Sequence, residues 1–115
     1  MEQTSPRGFG VHEVSETDNG TTLPAQVGDV VHLRLSENPT TGYRWTVLTG
    51  AQSVLSLRND DFQQSVPGGT GSGGERNLRF EAVNPGTVKL ELELRREWEP
   101  SSAARKRFGL TVVCQ

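Results

Sequence analysis

The chain has 115 residues, 32% of them hydrophobic, and a net charge of −2. This is the size of one domain, and no strong positive field is present to recruit nucleic acid or an anionic membrane. The 13 glycines and 6 prolines interrupt regular structure about once every six residues, which favours short segments joined by turns over long helices. The single cysteine excludes an internal disulfide and a cysteine-rich zinc site.

Alternation of apolar and polar residues predicts a series of short strands. Weaker candidates cover residues 9–14 and 53–57, and the clear runs are residues 31–35, 43–47, 78–82, 88–95 and 108–112. About seven strands in one domain predict an all-β, immunoglobulin-like antiparallel β-sandwich. Trp45 falls on the inward side of its strand and is expected in the core.

The remaining segments complete the predicted organisation. Residues 1–8 are expected to form a flexible N-terminal segment, and residues 9–115 a single, monomeric domain. Residues 84–86, Asn-Pro-Gly, predict a tight turn that makes the strands of Phe80 and Leu90 neighbours. Without a signal-peptide pattern or an apolar run of ~20 residues, we expect no membrane partner. The location is left open as cytoplasmic or, if a leader has been removed, periplasmic or secreted.

The first of three unusual loops is Asn38-Pro39-Thr40-Thr41-Gly42-Tyr43. Its proline fixes φ, its glycine permits a positive φ, and two threonines occupy the tip between them. These two constraints predict a stiff, narrow loop. The alternative is an ordinary interstrand turn, but such a turn does not require the threonine pair.

The second loop covers residues 67–75 and places Gly69, Gly71 and Gly74 at the G-x-G-x-x-G spacing of a dinucleotide-binding loop. That function is excluded, because a strand and not a helix follows and because Glu75 would repel a phosphate. The loop is either a flexible connector or a segment whose bare backbone approaches another molecule.

The third loop, residues 95–102, places Trp98 between Glu97 and Glu99. A large aromatic residue beside arginine in a polar loop is typical of a protein-binding hot spot. Trp98 is therefore expected to be exposed. The alternative is a core position, because Trp98 continues the alternation that places Leu92 and Leu94 on the inward side. Because alternate loops of a sandwich cluster at one end, the three loops are predicted to form one binding edge.

No catalytic group, metal site or cofactor site is predicted. His12 and His32 have no nucleophile and acid close by in sequence, and His32 lies on the outward side of its strand. Glu91 and Glu93 are interpreted as solubilising charges on an exposed face, and Cys114 as an inert core thiol. We therefore do not expect an enzyme.

The three loops match the motifs of a known family. The sequence resembles the chagasin-like inhibitors of papain-type cysteine peptidases, whose motifs are N-P-T-T-G-[YF], G-x-G-G and R-P-W. Here they are Asn38 to Tyr43, Gly71-Ser72-Gly73-Gly74, and Arg96-Glu97-Trp98 with Glu in place of proline. The resemblance covers residues 11–113 and implies an immunoglobulin-like sandwich.

The resemblance also implies reversible, non-covalent occlusion of the cleft of an endogenous or foreign peptidase. Thr40 and Thr41 would lie nearest the catalytic cysteine and histidine of the peptidase. The glycine loop would follow one side of the cleft, and Arg96 and Trp98 would hold the other. Glu97 is expected to loosen the third loop and to hold back the Arg96 guanidinium, which would weaken inhibition or make it more selective, above all at acid-lined clefts.

Two other functions stay open at this point. An immunoglobulin-like module could use the same loop edge to bind a different protein or a glycan. Nucleic acid could bind through the basic side chains of the third loop and the strand after it, which are Arg95, Arg96, Arg105, Lys106 and Arg107. The interleaved Glu97 and Glu99 and the net charge of −2 count against this second function, so no nucleic-acid partner is expected.

Overall fold

The computed structural model describes residues 10–48, 53–64 and 73–115. The strands in these ranges are β1 (Val11–Ser15), β2 (Thr22–Ala25), β3 (Val30–Glu37), β4 (Tyr43–Val47), β5 (Leu55–Gln64), β6 (Gly74–Ala82), β7 (Gly86–Arg96) and β8 (Lys106–Cys114). The segment predicted to be flexible, residues 1–8, lies outside the described residues. Within the described ranges, no helix has the length and apolar character that crossing a membrane requires.

The strands form two four-stranded sheets that pack as a sandwich. Sheet 1 has the order β1-β3-β6-β5 and sheet 2 the order β2-β8-β7-β4. Neighbours are antiparallel except for β1 with β3 and β2 with β8, which are parallel. The predicted all-β sandwich is confirmed. Strand β2 was not predicted. Its four residues include Pro24, and it lies at a sheet edge, where a missing N–H donor is tolerated.

The turn between β6 and β7 carries the chain from one sheet to the other. Phe80 of β6 and Leu90 of β7 are 3% and 0% exposed and belong to the same core, but their strands are in different sheets. The prediction that these strands are neighbours was therefore wrong. A short turn limits how far apart two strands start, and it does not decide whether they pair edge to edge or face each other.

Alternate residues of the strands fill the space between the sheets. Leu33, Leu92 and Leu110 are at most 1% exposed. Trp45 is 5% exposed, as predicted, and its indole Nε1 donates to the carbonyl oxygen of Ser36 at 2.8 Å. This bond satisfies the one polar atom of a buried tryptophan.

Cys114 lies in the same core, as predicted. Burial raises the pKa of its thiol, and the negative charge of Asp29 raises it further. Because the thiolate is the reactive form, a thiol with a raised pKa is a poor nucleophile at neutral pH.

Some polar residues on the outer faces of the sheets are buried, among them Glu93 and His32. Glu93 is fully buried under Arg95 and Arg107, whose guanidinium nitrogens lie 3.1 and 3.6 Å from its carboxylate oxygens. His32 is 9% exposed and is hydrogen-bonded to Asn77 at 2.8 Å. The prediction that Glu93 is an exposed solubilising charge was wrong. The alternation along a strand assigns a side chain to one face of the sheet, whereas the neighbouring side chains on that face decide how exposed it is.

Candidate functional site

Three interstrand loops begin and end at one end of the sandwich, which we call the loop edge. Loop 1 (38–42) joins β3 to β4, loop 2 (65–73) joins β5 to β6, and loop 3 (97–105) joins β7 to β8. The strand register brings their bases together, because Gly74 pairs with both Glu37 and Gln64, and Tyr43 pairs with Arg96. Of the predicted glycine motif, Gly71 and Ser72 lie outside the described residues.

Loop 1 is held rigid by its own side chains. The Asn38 carboxamide oxygen accepts hydrogen bonds from the backbone N–H of Thr40 at 3.1 Å and from its hydroxyl at 2.7 Å. The Thr41 hydroxyl donates to the carbonyl oxygen of Asn38 at 2.7 Å and accepts from the backbone N–H of Tyr43 at 3.3 Å. Gly42 has φ +82°, the left-handed conformation that favours glycine. The threonines therefore brace the loop from within.

Loop 1 is in contact with the last residue of β7 and with loop 3. The Arg96 guanidinium donates from Nε to the carbonyl oxygen of Thr41 at 3.2 Å. A Cβ at Gly42 would lie 3.3 Å from the Trp98 ring, so this glycine lets the indole lie against the loop 1 backbone. Arg96 and Trp98 thus support loop 1 from the side of loop 3.

Trp98 is exposed, as predicted. Its side chain is 75% exposed, the largest value among the large hydrophobic residues in the described part of the chain. A tight turn presents it, closed by the bond from the Glu99 N–H to the Arg96 carbonyl at 3.0 Å. Arg95 braces the turn by donating to the carbonyl oxygens of Glu97 and Glu99 at 3.4 and 2.8 Å. The carboxylate beside Arg96 is that of Glu99, at 3.8 Å, and not that of Glu97, which was expected there from the sequence.

Gly73 and Gly74, the two described glycines of the second motif, lie where the backbone of another segment of the chain comes very close. A Cβ at Gly73 would lie 3.3 Å from the carbonyl oxygen of Glu37 and 3.7 Å from Cβ of Asn38. A Cβ at Gly74 would overlap the carbonyl oxygen of Gln63. Both glycines allow loop 2 to return into β6 directly beside loop 1.

Tyr43 lies between two cations at the base of loop 1. The guanidinium carbons of Arg96 and Arg105 are 4.5 and 5.0 Å from its ring centroid. Contacts at this distance are cation–π interactions. The position of Arg105 in this group was not predicted, because only the hairpin register between β7 and β8 shows that loop 3 returns beside Tyr43.

Comparison with known proteins identifies the family. Residues 24–112 match the family model described as chagasin family peptidase inhibitor I42. The chain belongs to this family. It is 33% identical over 104 residues to amoebiasin-1 of Entamoeba histolytica, covering 89% of this chain and 98% of that protein. It is 30% identical over 102 residues to chagasin of Trypanosoma cruzi, covering 84% of this chain and 92% of that protein.

A solved structure supports the same assignment. The crystal structure of a cysteine protease inhibitor from Entamoeba histolytica superposes with a TM-score of 0.84 at 25% identity, covering 93% of this chain and 97% of that one. The resemblance inferred from the loop motifs is confirmed, and the family to which the chain belongs is one of peptidase inhibitors and not of enzymes. Among the described residues, no group of histidine, cysteine and acidic side chains could hold a metal ion.

Proposed function

We propose that this protein inhibits papain-type cysteine peptidases by placing the loop edge in the active-site cleft, reversibly and without a covalent bond. The observation that carries the proposal is the braced loop 1, supported by Arg96 and Trp98 at one end of a chagasin-family sandwich. A complex of this type buries about 800 Å² on each partner.

Loop 1 is the central wedge in this proposal. Thr40 and Thr41 lie nearest the catalytic cysteine and histidine of the peptidase, and Asn38, Pro39 and Gly42 keep the loop narrow. The bonds from the threonine hydroxyls to Asn38 support this role, since a loop that is already ordered loses less conformational entropy on docking.

The other two loops hold the sides of the cleft. The glycine motif, residues 71–74, passes its backbone along one side. Arg96 and Trp98 hold the other, with Glu97 between them in the turn, and Tyr43 supports loop 1 and Arg96 from below. An exposed tryptophan packed against a rigid loop is the kind of side chain that dominates the binding energy of an interface.

Trp98→Ala tests the proposal. It is expected to weaken inhibition of papain by about 2 kcal/mol, which is about thirty-fold in the inhibition constant. Val27→Ala is the matched control, because Val27 is an exposed apolar residue, 45% accessible, in the turn at the opposite end of the sandwich. Inhibition constants from steady-state titration should separate the two variants.

Two results would contradict the proposal. If folded wild-type protein inhibits neither papain nor cathepsin-like peptidases at about 1 μM, peptidase inhibition is wrong, and an immunoglobulin-like module that binds another protein or a glycan through the loop edge takes its place. If wild type inhibits but Trp98→Ala and Val27→Ala do so equally well, Trp98 does not enter the complex.

A further inference from the structure

The end of β7, loop 3 and the start of β8 form the most basic segment of the chain. Residues 95–107 contain five basic and two acidic side chains, a net charge of +3 in a chain whose total is −2. A local positive charge attracts acidic surfaces of a partner, although the protein as a whole is negative. The positions of the individual cations decide which of them are available to a partner.

Four of these five cations lie near carboxylates of the same chain. Arg95 and Arg107 lie against Glu93 at 3.1 and 3.6 Å. Arg96 lies 3.8 Å from Glu99. Lys106 lies 3.4 Å from Glu16. Each of the four has a carboxylate nearby before any partner arrives, although Arg95 and Arg107 share one, and this also counts against a nucleic-acid surface.

Arg105 is the exception. Its side chain is exposed, and within the described residues no carboxylate lies at ion-pair distance from its guanidinium. The side chain is nevertheless positioned, because its backbone N–H donates to the carbonyl oxygen of Leu94 at 2.7 Å and its guanidinium carbon lies 5.0 Å from the Tyr43 ring centroid. A stacked guanidinium loses less freedom than a mobile one when it binds a planar anion.

The location of Arg105 links it to the loop edge. A cavity of about 480 Å³ opens between loop 1 and the start of β8, and Arg105 lines it together with Asn38, Thr41, Tyr43 and Gly73. A partner that covers loop 1 therefore passes over the Arg105 guanidinium.

We infer that Arg105 is a further peptidase-contacting residue, which binds an Asp or Glu carboxylate on the rim of the cleft and favours peptidases that carry one there. This inference rests on the proposed function. The chemistry is that of a charge-assisted, two-pronged guanidinium–carboxylate pair. Before contact, the same charge accelerates the encounter with an acidic rim.

The experiment measures association rate constants with a papain-type peptidase whose cleft rim carries Asp or Glu. Measurements are made at about 10 mM and about 1 M salt, where charges act over about 30 Å and about 3 Å. Arg105→Gln is expected to slow association about five-fold at low salt and to change it little at high salt. Arg105→Lys keeps the charge and should keep most of the salt dependence.

Arg79→Gln is the control for removal of one positive charge. Arg79 is exposed on β6, five residues along the strand from the loop edge, so its loss should slow association at low salt much less than Arg105→Gln does. Changing the rim carboxylate of the peptidase to an amide should abolish the effect of Arg105→Gln, as a double-mutant cycle requires for a direct pair.

Two failures can be told apart. Wild-type protein that inhibits no papain-type peptidase overturns the proposed function and this inference together. If wild type inhibits but Arg105→Gln associates at the wild-type rate at low salt, or if its effect persists with the amide peptidase, the inference alone is overturned.

Discussion

Glu97 stands where the family motif has proline, and the structure shows what that exchange changes. Glu97 is the second residue of the turn that is closed by the bond from Glu99 to Arg96. Proline is favoured at this position, because its fixed φ matches the turn. The turn forms here without it, since Arg95 donates to two of its carbonyl oxygens. Side-chain hydrogen bonds thus replace part of the constraint that a proline ring supplies.

Glu97→Pro is therefore expected to tighten inhibition of papain about three-fold, since fixing the backbone of a turn that is already adopted stabilises by about 0.4–1 kcal/mol. Within the described residues, no hydrogen bond uses the Glu97 N–H, so proline removes no donor that is in use. Glu97→Ala removes the carboxylate without fixing φ and should change the inhibition constant little. Equal affinity of wild type and Glu97→Pro for papain would show that the family proline has no effect here.

The elements beneath the loop edge are joined by one buried ion pair. The Glu37 carboxylate of β3 accepts from the Arg76 guanidinium of β6 at 2.7 Å and from the backbone N–H of Trp45 at 2.9 Å. The last bond joins the two sheets, because β4 belongs to sheet 2. The hydrogen bonds from Arg76 to Glu37 raise the pKa of the guanidinium and outweigh the opposite effect of its burial. Both charges are thus compensated at the base of loop 1.

Glu37→Gln is expected to lower the free energy of unfolding by about 3 kcal/mol, because it leaves the Arg76 charge buried without its main partner. Glu81→Gln is the matched control. Glu81 pairs with Arg58 at 2.9 Å, but both side chains are exposed to solvent, and such pairs contribute less than about 1 kcal/mol. Urea unfolding of the three proteins gives both differences. A loss no larger for Glu37→Gln than for Glu81→Gln would contradict this account of the pair.

Features that depend on the residues of one strand or one loop could be predicted from the sequence. Alternation along 43–47 placed Trp45 in the core, and proline and glycine placed the stiff loop 1. The Glu37–Arg76 pair, the burial of Glu93 and the contact of Arg105 with Tyr43 could not be predicted in this way. Each depends on which residues face one another across strands, and cross-strand register is a property of the whole sheet.

At the scale of the whole molecule, one end of the sandwich carries the binding loops and the other end is stabilised by a separate set of contacts. The end opposite the loop edge is fastened by Asp29, just before β3. Its carboxylate accepts from the backbone N–H groups of Gly10 and Gln26 at 2.9 and 3.0 Å and lies 2.8 Å from the ring of His12. These contacts tie the start of β1 to the turn between β2 and β3. None of them involves loop 1 or loop 3.

Asp29→Asn tests this separation through the dependence of stability on pH. Burial raises the pKa of Asp29, but the hydrogen bonds from His12, Gly10 and Gln26 outweigh it, so the pKa is lowered in the folded protein. Its contribution to stability is therefore fully present above the unfolded-state pKa of about 3.9 and is lost as the pH falls through the lower, folded value.

At neutral pH, Asp29→Asn is expected to lower the free energy of unfolding by about 1.5–3 kcal/mol, the contribution of hydrogen bonds to a charged acceptor. The difference from wild type should shrink in denaturant titrations carried out below about pH 4. Inhibition of papain near neutral pH should stay at the wild-type level, because the loop edge is assembled at the other end. A constant stability difference down to pH 2, or weaker inhibition by the folded variant, would show that the two ends are not independent.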